Sequence, residues 1–115
     1  MINLNDFRPL IEKVVSYISE RRYDKVGDFL LRNGRLTIDE LKQEVETYRR
    51  DTKVLPLSDK SFAAANMTIM FSRCVPSVSL PLLTEDDELD EMRLFLYCGY
   101  INKQPVVKIF GLMYL

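Results

Sequence analysis

The chain has 115 residues, a formal net charge of −1 and no histidine, and this length supports one domain around one core. With 47% hydrophobic and 29% charged residues it has ordinary globular composition, which excludes a disordered chain or a multi-span membrane protein. The missing histidine removes the Ser-His and Cys-His nucleophiles, the usual general base and the commonest transition-metal ligand.

In chain order, the first half is helical. The opening "MINLNDFRPLIEK" mixes acid, base and proline, unlike the apolar run of a signal peptide. Asp6 is expected to cap a first helix with Pro9 in its first turn, where a missing N–H costs little. Phe7, Leu10, Ile11, Val14, Val15 and Ile18 recur at helical spacing and predict one apolar face. A break near Arg21 and Arg22 leads to a shorter helix over about 24–32, with Val26, Phe29 and Leu30 inward and Asn33-Gly34 as a left-handed cap. Thr37 and Glu40 fit a capping box that opens a third helix carrying Leu41, Val45 and Tyr48.

The second half changes period. "TKVLPLS" predicts a short edge segment, because Pro56 cannot donate to a ladder. "ANMTIMFSR" has β-branched and aromatic character, and "SVSLPLL" alternates with Val78, Leu80 and Leu82 on one face. "EMRLFLYCGY" puts Met92, Leu94, Leu96, Cys98 and Tyr100 opposite Arg93, Phe95 and Tyr97. "INKQP" connects it to "VVKIFGLMYL", where strict alternation sets Val107, Ile109, Gly111 and Met113 against Val106, Lys108, Phe110, Leu112 and Tyr114.

Helices first and strands second predict a single α+β domain over residues 1–115. About three N-terminal helices pack on one face of a curved antiparallel sheet of four or five strands. The last two strands are apolar on both faces, although a helix-covered sheet needs one polar face. Phe95, Tyr97, Phe110, Leu112 and Tyr114 either line a pocket, form a dimer face, receive a partner, or are wrapped around the first helix by a bent sheet. Cys74 and Cys98, the two cysteines, sit in apolar runs and are expected as reduced core thiols. The C-terminal "IFGLMYL" is far too short to cross a bilayer, and the expected location is the cytoplasm.

Charge is unevenly spread. Six of the 17 acids, Glu85, Asp86, Asp87, Glu88, Asp90 and Glu91, lie between two apolar strands, and without them the chain is net positive. "DDELDE" lacks the turn glycine and alternating ligands of a calcium loop, and nothing in it defines a carboxylate pair for acid/base work. A solvated loop that guards a sheet edge would carry such charge. So would a recognition loop, because a dense anionic patch speeds encounter with a cationic partner and fixes its register. The basic residues Arg21, Arg22 and Lys25, near Tyr17 and Tyr23, are interspersed with acids and read as solvated helix faces, not a nucleic-acid patch.

The segments "LLRNGRLTIDELKQEVETY" and "SVSLPLLTEDDELDEMRLFLY" together resemble a family of small, largely uncharacterised bacterial α+β domains. In that family a Gly-Arg-Leu-Thr turn opens a helix ending near a tyrosine, and a later strand runs through an acidic loop into a terminal hairpin. Leu83 stands where the family usually has an aromatic residue. The order of elements is also similar to cystatin and NTF2-like folds. Domains of this build often serve as immunity proteins in contact-dependent growth inhibition and other toxin systems. The resemblance implies an antitoxin-like protein that blocks the active site of a cognate toxin, a nuclease, through that toxin's cationic surface. It implies no catalytic residue, cofactor, metal, direct nucleic-acid contact or membrane contact. The expected contacts are Glu85, Asp86, Asp87, Glu88, Asp90 and Glu91, with Phe95 and Tyr97 as apolar anchors. An NTF2-like small-molecule binder with a pocket between the first helix and the sheet, and a homodimerising structural domain, stay open as alternatives. A weak homodimer is compatible with each.

Overall fold

The computed structural model describes the backbone of residues 3–32, 34–49, 52–70, 75–85 and 87–114; side chains at 66–70, 75, 76, 87–91 and 114 lie outside the description. The architecture is α+β. Helices α1 (Arg8–Ser19), α2 (Tyr23–Val26), α3 (Ile38–Arg49) and α4 (Asp59–Ala63) precede strands β1 (Asn66–Met70), β2 (Val75–Thr84), β3 (Asp87–Ile101) and β4 (Gln104–Tyr114). The strands run antiparallel in the order β1-β2-β3-β4, and the sheet is open, with β1 and β4 at its edges.

The helix-spaced apolar residues do what their period requires. Ile11, Val14, Val15 and Ile18 of α1 are buried together with Phe7, Val26, Leu41 and Val45. From the sheet they meet Val78, Leu80, Leu82, Met92, Leu94, Leu96, Cys98, Val107 and Ile109 in one core. Complete burial of an aliphatic side chain contributes about 1.5–3 kcal/mol, so this shared layer holds helices to sheet. Tyr48 adds a polar tie, its hydroxyl donating to Leu82 O at 2.8 Å.

Several local expectations need correction. Asp6 does not cap α1. Asn3 caps a short 3-10 turn over Leu4–Asp6, and Phe7 precedes α1 without a side-chain cap bond. Asp6 instead accepts from the Tyr100 hydroxyl at 2.9 Å. The expected helix over 24–32 stops early: α2 ends at Val26, a 3-10 turn follows over Gly27–Phe29, and Leu30 is extended. Tertiary pairing ends it, because Leu31 N–H donates to Ile109 O at 2.9 Å and Leu30 bridges Ile109 at the β4 edge. Gly34 is not left-handed, and Asn33 lies outside the described residues. The capping box at α3 is half formed: Glu40 N–H donates to Thr37 Oγ1 at 3.2 Å, but the Glu40 carboxylate accepts from the Thr37 hydroxyl at 3.1 Å and not from a backbone N–H. Helix α4 was not expected. Ser58 and Ser61 cap it reciprocally, a box closed by serine in place of the usual Glu or Gln.

The expected edge segment exists as a short clasp. Val54 bridges Thr84, and Leu55 N–H donates to Leu83 O at 2.7 Å. This covers the end of β2 that β1 does not reach, as the 30–31 segment covers part of β4.

The break after α1 has a defined geometry. Arg21 is left-handed, with φ 60. Its N–H donates to Ile18 O at 3.1 Å and Arg22 N–H donates to Tyr17 O at 2.8 Å, which is a Schellman ending with arginine where glycine is preferred. A left-handed non-glycine residue costs about 1–2 kcal/mol. The Arg21–Glu46 ion pair at 3.4 Å is largely solvated and offsets at most about 1 kcal/mol. Arg21→Gly is therefore expected to raise stability by about 0.5–1 kcal/mol, read as a higher denaturant midpoint. A lower midpoint would show that contacts of the arginine side chain outweigh the backbone strain.

Candidate protein-binding face

The acids are not a loop. Thr84 of β2 pairs with Asp87 of β3, so the connection holds only Glu85 and Asp86. Asp87, Glu88, Asp90 and Glu91 belong to the first part of β3. Charge does not prevent strand pairing, because the ladder uses backbone groups alone. Asp86 lies outside the described residues, as do the side chains of the other four. The register shifts here: Leu82 pairs with Met92 and Thr84 with Asp87, and among the described residues the pairing of β3 with β4 begins at Met92. Glu85 is exposed and has a structural role. Its N–H donates to Lys53 O at 3.1 Å, and its Oε1 accepts from Lys53 N–H at 3.0 Å.

Phe95 and Tyr97 lie on the sheet face opposite the core, because Leu94, Leu96 and Cys98 between and beside them point inward. The ring of Phe110 joins them, tilted against Phe95 at 5.9 Å and stacked on Tyr97 at 4.1 Å. A bulge makes this trio. Phe95 pairs with Gly111 and Leu96 with Ile109, leaving Phe110 unpaired between them. The same bulge overturns the expected alternation of the last strand. Beyond it Leu112 pairs with inward Leu94 and packs on the core, while Met113 pairs with Arg93 and is 55% exposed. Leu112 is thus a core residue and not part of the open face.

Next to the trio lies a hollow of about 230 Å³ lined by Leu31, Tyr97, Gly99, Tyr100, Ile101, Val106 and Lys108. Tyr97 sits directly across from Lys108, and Gly99 across from Val106. The hairpin closes at Asn102 and Lys103, both left-handed with φ 52 and 67, the backbone of a two-residue type I′ turn. Between α1 and the sheet, where the small-molecule alternative expected its pocket, described apolar side chains from both sides belong to one core cluster.

Arg93 is the cation between the acids and the aromatics, and it is turned to internal use. It is 7% exposed. Its Nη2 donates to Ala64 O at 3.0 Å and Ser79 O at 3.1 Å, and its Nε donates to Ser79 Oγ at 3.3 Å. Two basic residues of the break after α1 are also engaged. Arg21 pairs with Glu46, and Arg22 lies over the Tyr17 ring at 5.4 Å. Glu46 in turn accepts from the Tyr23 hydroxyl at 3.1 Å. Burial, and then this bond, raise the Tyr23 pKa and hold the phenol protonated. Cys98 is buried and free, and desolvation pushes its thiol up to about 11, so it is a core thiol and not a thiolate. Cys74 lies outside the described residues. Among the described residues no cluster of three or more His, Cys, Asp or Glu could hold a metal ion, and no helix is long and apolar enough to cross a membrane.

Sequence reasoning placed Phe95 and Tyr97 but missed Lys108, Val106 and Gly99. The available signal was a glycine inside an otherwise apolar strand, which marks a bulge or an approach by another molecule. The fold and this face together define an α+β domain with one helix-covered sheet face and one aromatic face beside an anionic strand end. No family model, curated protein or solved structure matches the chain.

Proposed function

We propose that this domain binds a cationic protein through β3 and neutralises it by occlusion, as an immunity protein blocks the active site of a cognate nuclease toxin. One observation supports the reading above others: a single strand carries the anionic segment and the aromatic pair in succession. Phe95 follows Glu91 by four residues, roughly 13 Å along a strand. That spacing fits one interface with a charged rim and an aromatic centre. Nuclease sites are cationic because they hold phosphate, so an anionic strand end can cover one without chemistry of its own. The domain acts in the cytoplasm as a binder and not as an enzyme.

The test is a comparison of wild type with the Glu85→Gln, Asp86→Asn, Asp87→Asn, Glu88→Gln variant, against cationic nuclease toxin domains over a salt series. Glutamine at 85 keeps the oxygen that receives Lys53 N–H, so folding is expected to change by about 0.5 kcal/mol or less. Association is expected to slow, and its rate to lose much of its salt dependence, because rim charges act by steering. Any charge desolvated against the partner adds a cost of roughly 2 kcal/mol or more that appears in dissociation. Equal rates and equal salt slopes for the two proteins would return these acids to the role of a solvated strand end.

A further inference from the structure

We propose that the hollow over Gly99 is a second binding site, adjoining the aromatic trio through Tyr97, for a small apolar carboxylate such as an aryl or short acyl acid. The glycine motivates it. Gly99 sits inside β3 without a positive φ, so no turn demands it. A Cβ there would meet no heavy atom within 4 Å, so no close packing demands it either. Glycine in a strand interior weakens the strand and often marks the approach of a ligand. What it leaves here is open space, floored by its own backbone and walled by Tyr97, Ile101, Val106 and Leu31.

Size and charge select the occupant. A volume of about 230 Å³ exceeds the roughly 150 Å³ that accommodates benzene and falls short of the roughly 300 Å³ at which cofactor-sized sites begin. One aromatic ring or a short alkyl chain fits. The lining holds one charged residue, Lys108, and no acid. Lys108 Nζ donates to Asp28 O at 3.2 Å, which fixes the ammonium at the rim and leaves further donors of its three for an anion. An apolar body on Gly99 and a carboxylate head on Lys108 satisfy both features.

The experiment titrates the protein with hexanoate, phenylpropanoate, hexanol and hexylammonium and follows backbone amide NMR shifts. Shifts are expected to concentrate at residues 31, 97–101 and 106–108. Hexanoate is expected to bind about five-fold more tightly than hexanol, the size of one exposed charge contact, and hexylammonium least. Gly99→Leu fills the hollow and is expected to weaken hexanoate at least about ten-fold, as occupying a pocket removes the ligand's apolar burial. Lys108→Gln is expected to abolish the preference for acid over alcohol. The proposal is overturned if hexanoate shifts no amide in that set, if acid and alcohol bind wild type equally, or if Gly99→Leu binds hexanoate as wild type does. The acid-alcohol comparison decides even if Gly99→Leu fails to fold. No protein partner enters the titration, so its outcome is separate from that of the toxin-binding test.

Discussion

Val14→Asp is expected to abolish the cooperative fold or bring it to the edge of stability. Val14 is 0% exposed, in the second turn of α1, and belongs to the core cluster with α1 and sheet residues. The substitution removes an aliphatic contact of about 1.5–3 kcal/mol. It also places a carboxylate in the apolar cluster formed by Ile11, Val15, Ile18 and the inner sheet residues. An uncompensated buried charge costs about 3–5 kcal/mol more, and a domain of this kind has only about 5–15 kcal/mol in total. Lys13→Asp, one residue earlier and exposed, makes the same carboxylate face water. It is expected to cost no more than about 1 kcal/mol, from helix propensity and charge. Thermal and urea unfolding of the two variants would decide. Similar midpoints for Val14→Asp and Lys13→Asp would mean that the buried stripe of α1 is not the core of this domain.

That stripe was legible in the sequence because helical period and burial agree: Phe7, Ile11, Val14, Val15 and Ile18 read inward and are inward. The inner faces of β2 and β3 were legible for the same reason at period two, from Val78, Leu80 and Leu82 to Met92, Leu94, Leu96 and Cys98. What escaped is set by tertiary pairing. The helix expected over 24–32 loses its end to a backbone bond with Ile109, which no local pattern records. A run of carboxylates has low strand propensity, yet Asp87 pairs with Thr84 because the hairpin imposes it. A single bulged residue, Phe110, then reverses the faces of Leu112 and Met113 on β4, a change that a period-two reading cannot register. For the candidate face the consequence is direct. Phe95, Tyr97 and Phe110 were readable as one face from alternation, but the bulge at Phe110 and the hollow over a glycine, whose lack of a side chain matters only in three dimensions, were not.

Arg93→Ala is expected to cost about 2–4 kcal/mol and to disturb the link between α4 and the sheet. Charge-assisted hydrogen bonds contribute about 1.5–3 kcal/mol each and do not add in full. Arg93 makes two through Nη2 alone, to Ala64 O at the end of α4 and to Ser79 O on β2. Its stem is buried with the rest of the residue, which is 7% exposed. Arg93→Met separates these effects, since it keeps the stem and deletes the donors. It is expected to recover the packing and to retain most of the loss. Arg93→Lys is expected to fall between, because one ammonium does not reproduce a planar fork that reaches two carbonyls. Unfolding midpoints rank the three variants, and hydrogen exchange at the α4 amides locates the damage. A Met variant as stable as wild type would show that the donors contribute nothing and that Arg93 is there for its stem. In that event the guanidinium would be available to outside groups, and the anionic character assigned to this stretch of β3 would be weakened by one charge lying between Glu91 and Phe95. On the proposed reading, the internal engagement of Arg93 with Ala64 O and Ser79 is what keeps this cation from dividing the acids from the aromatic trio.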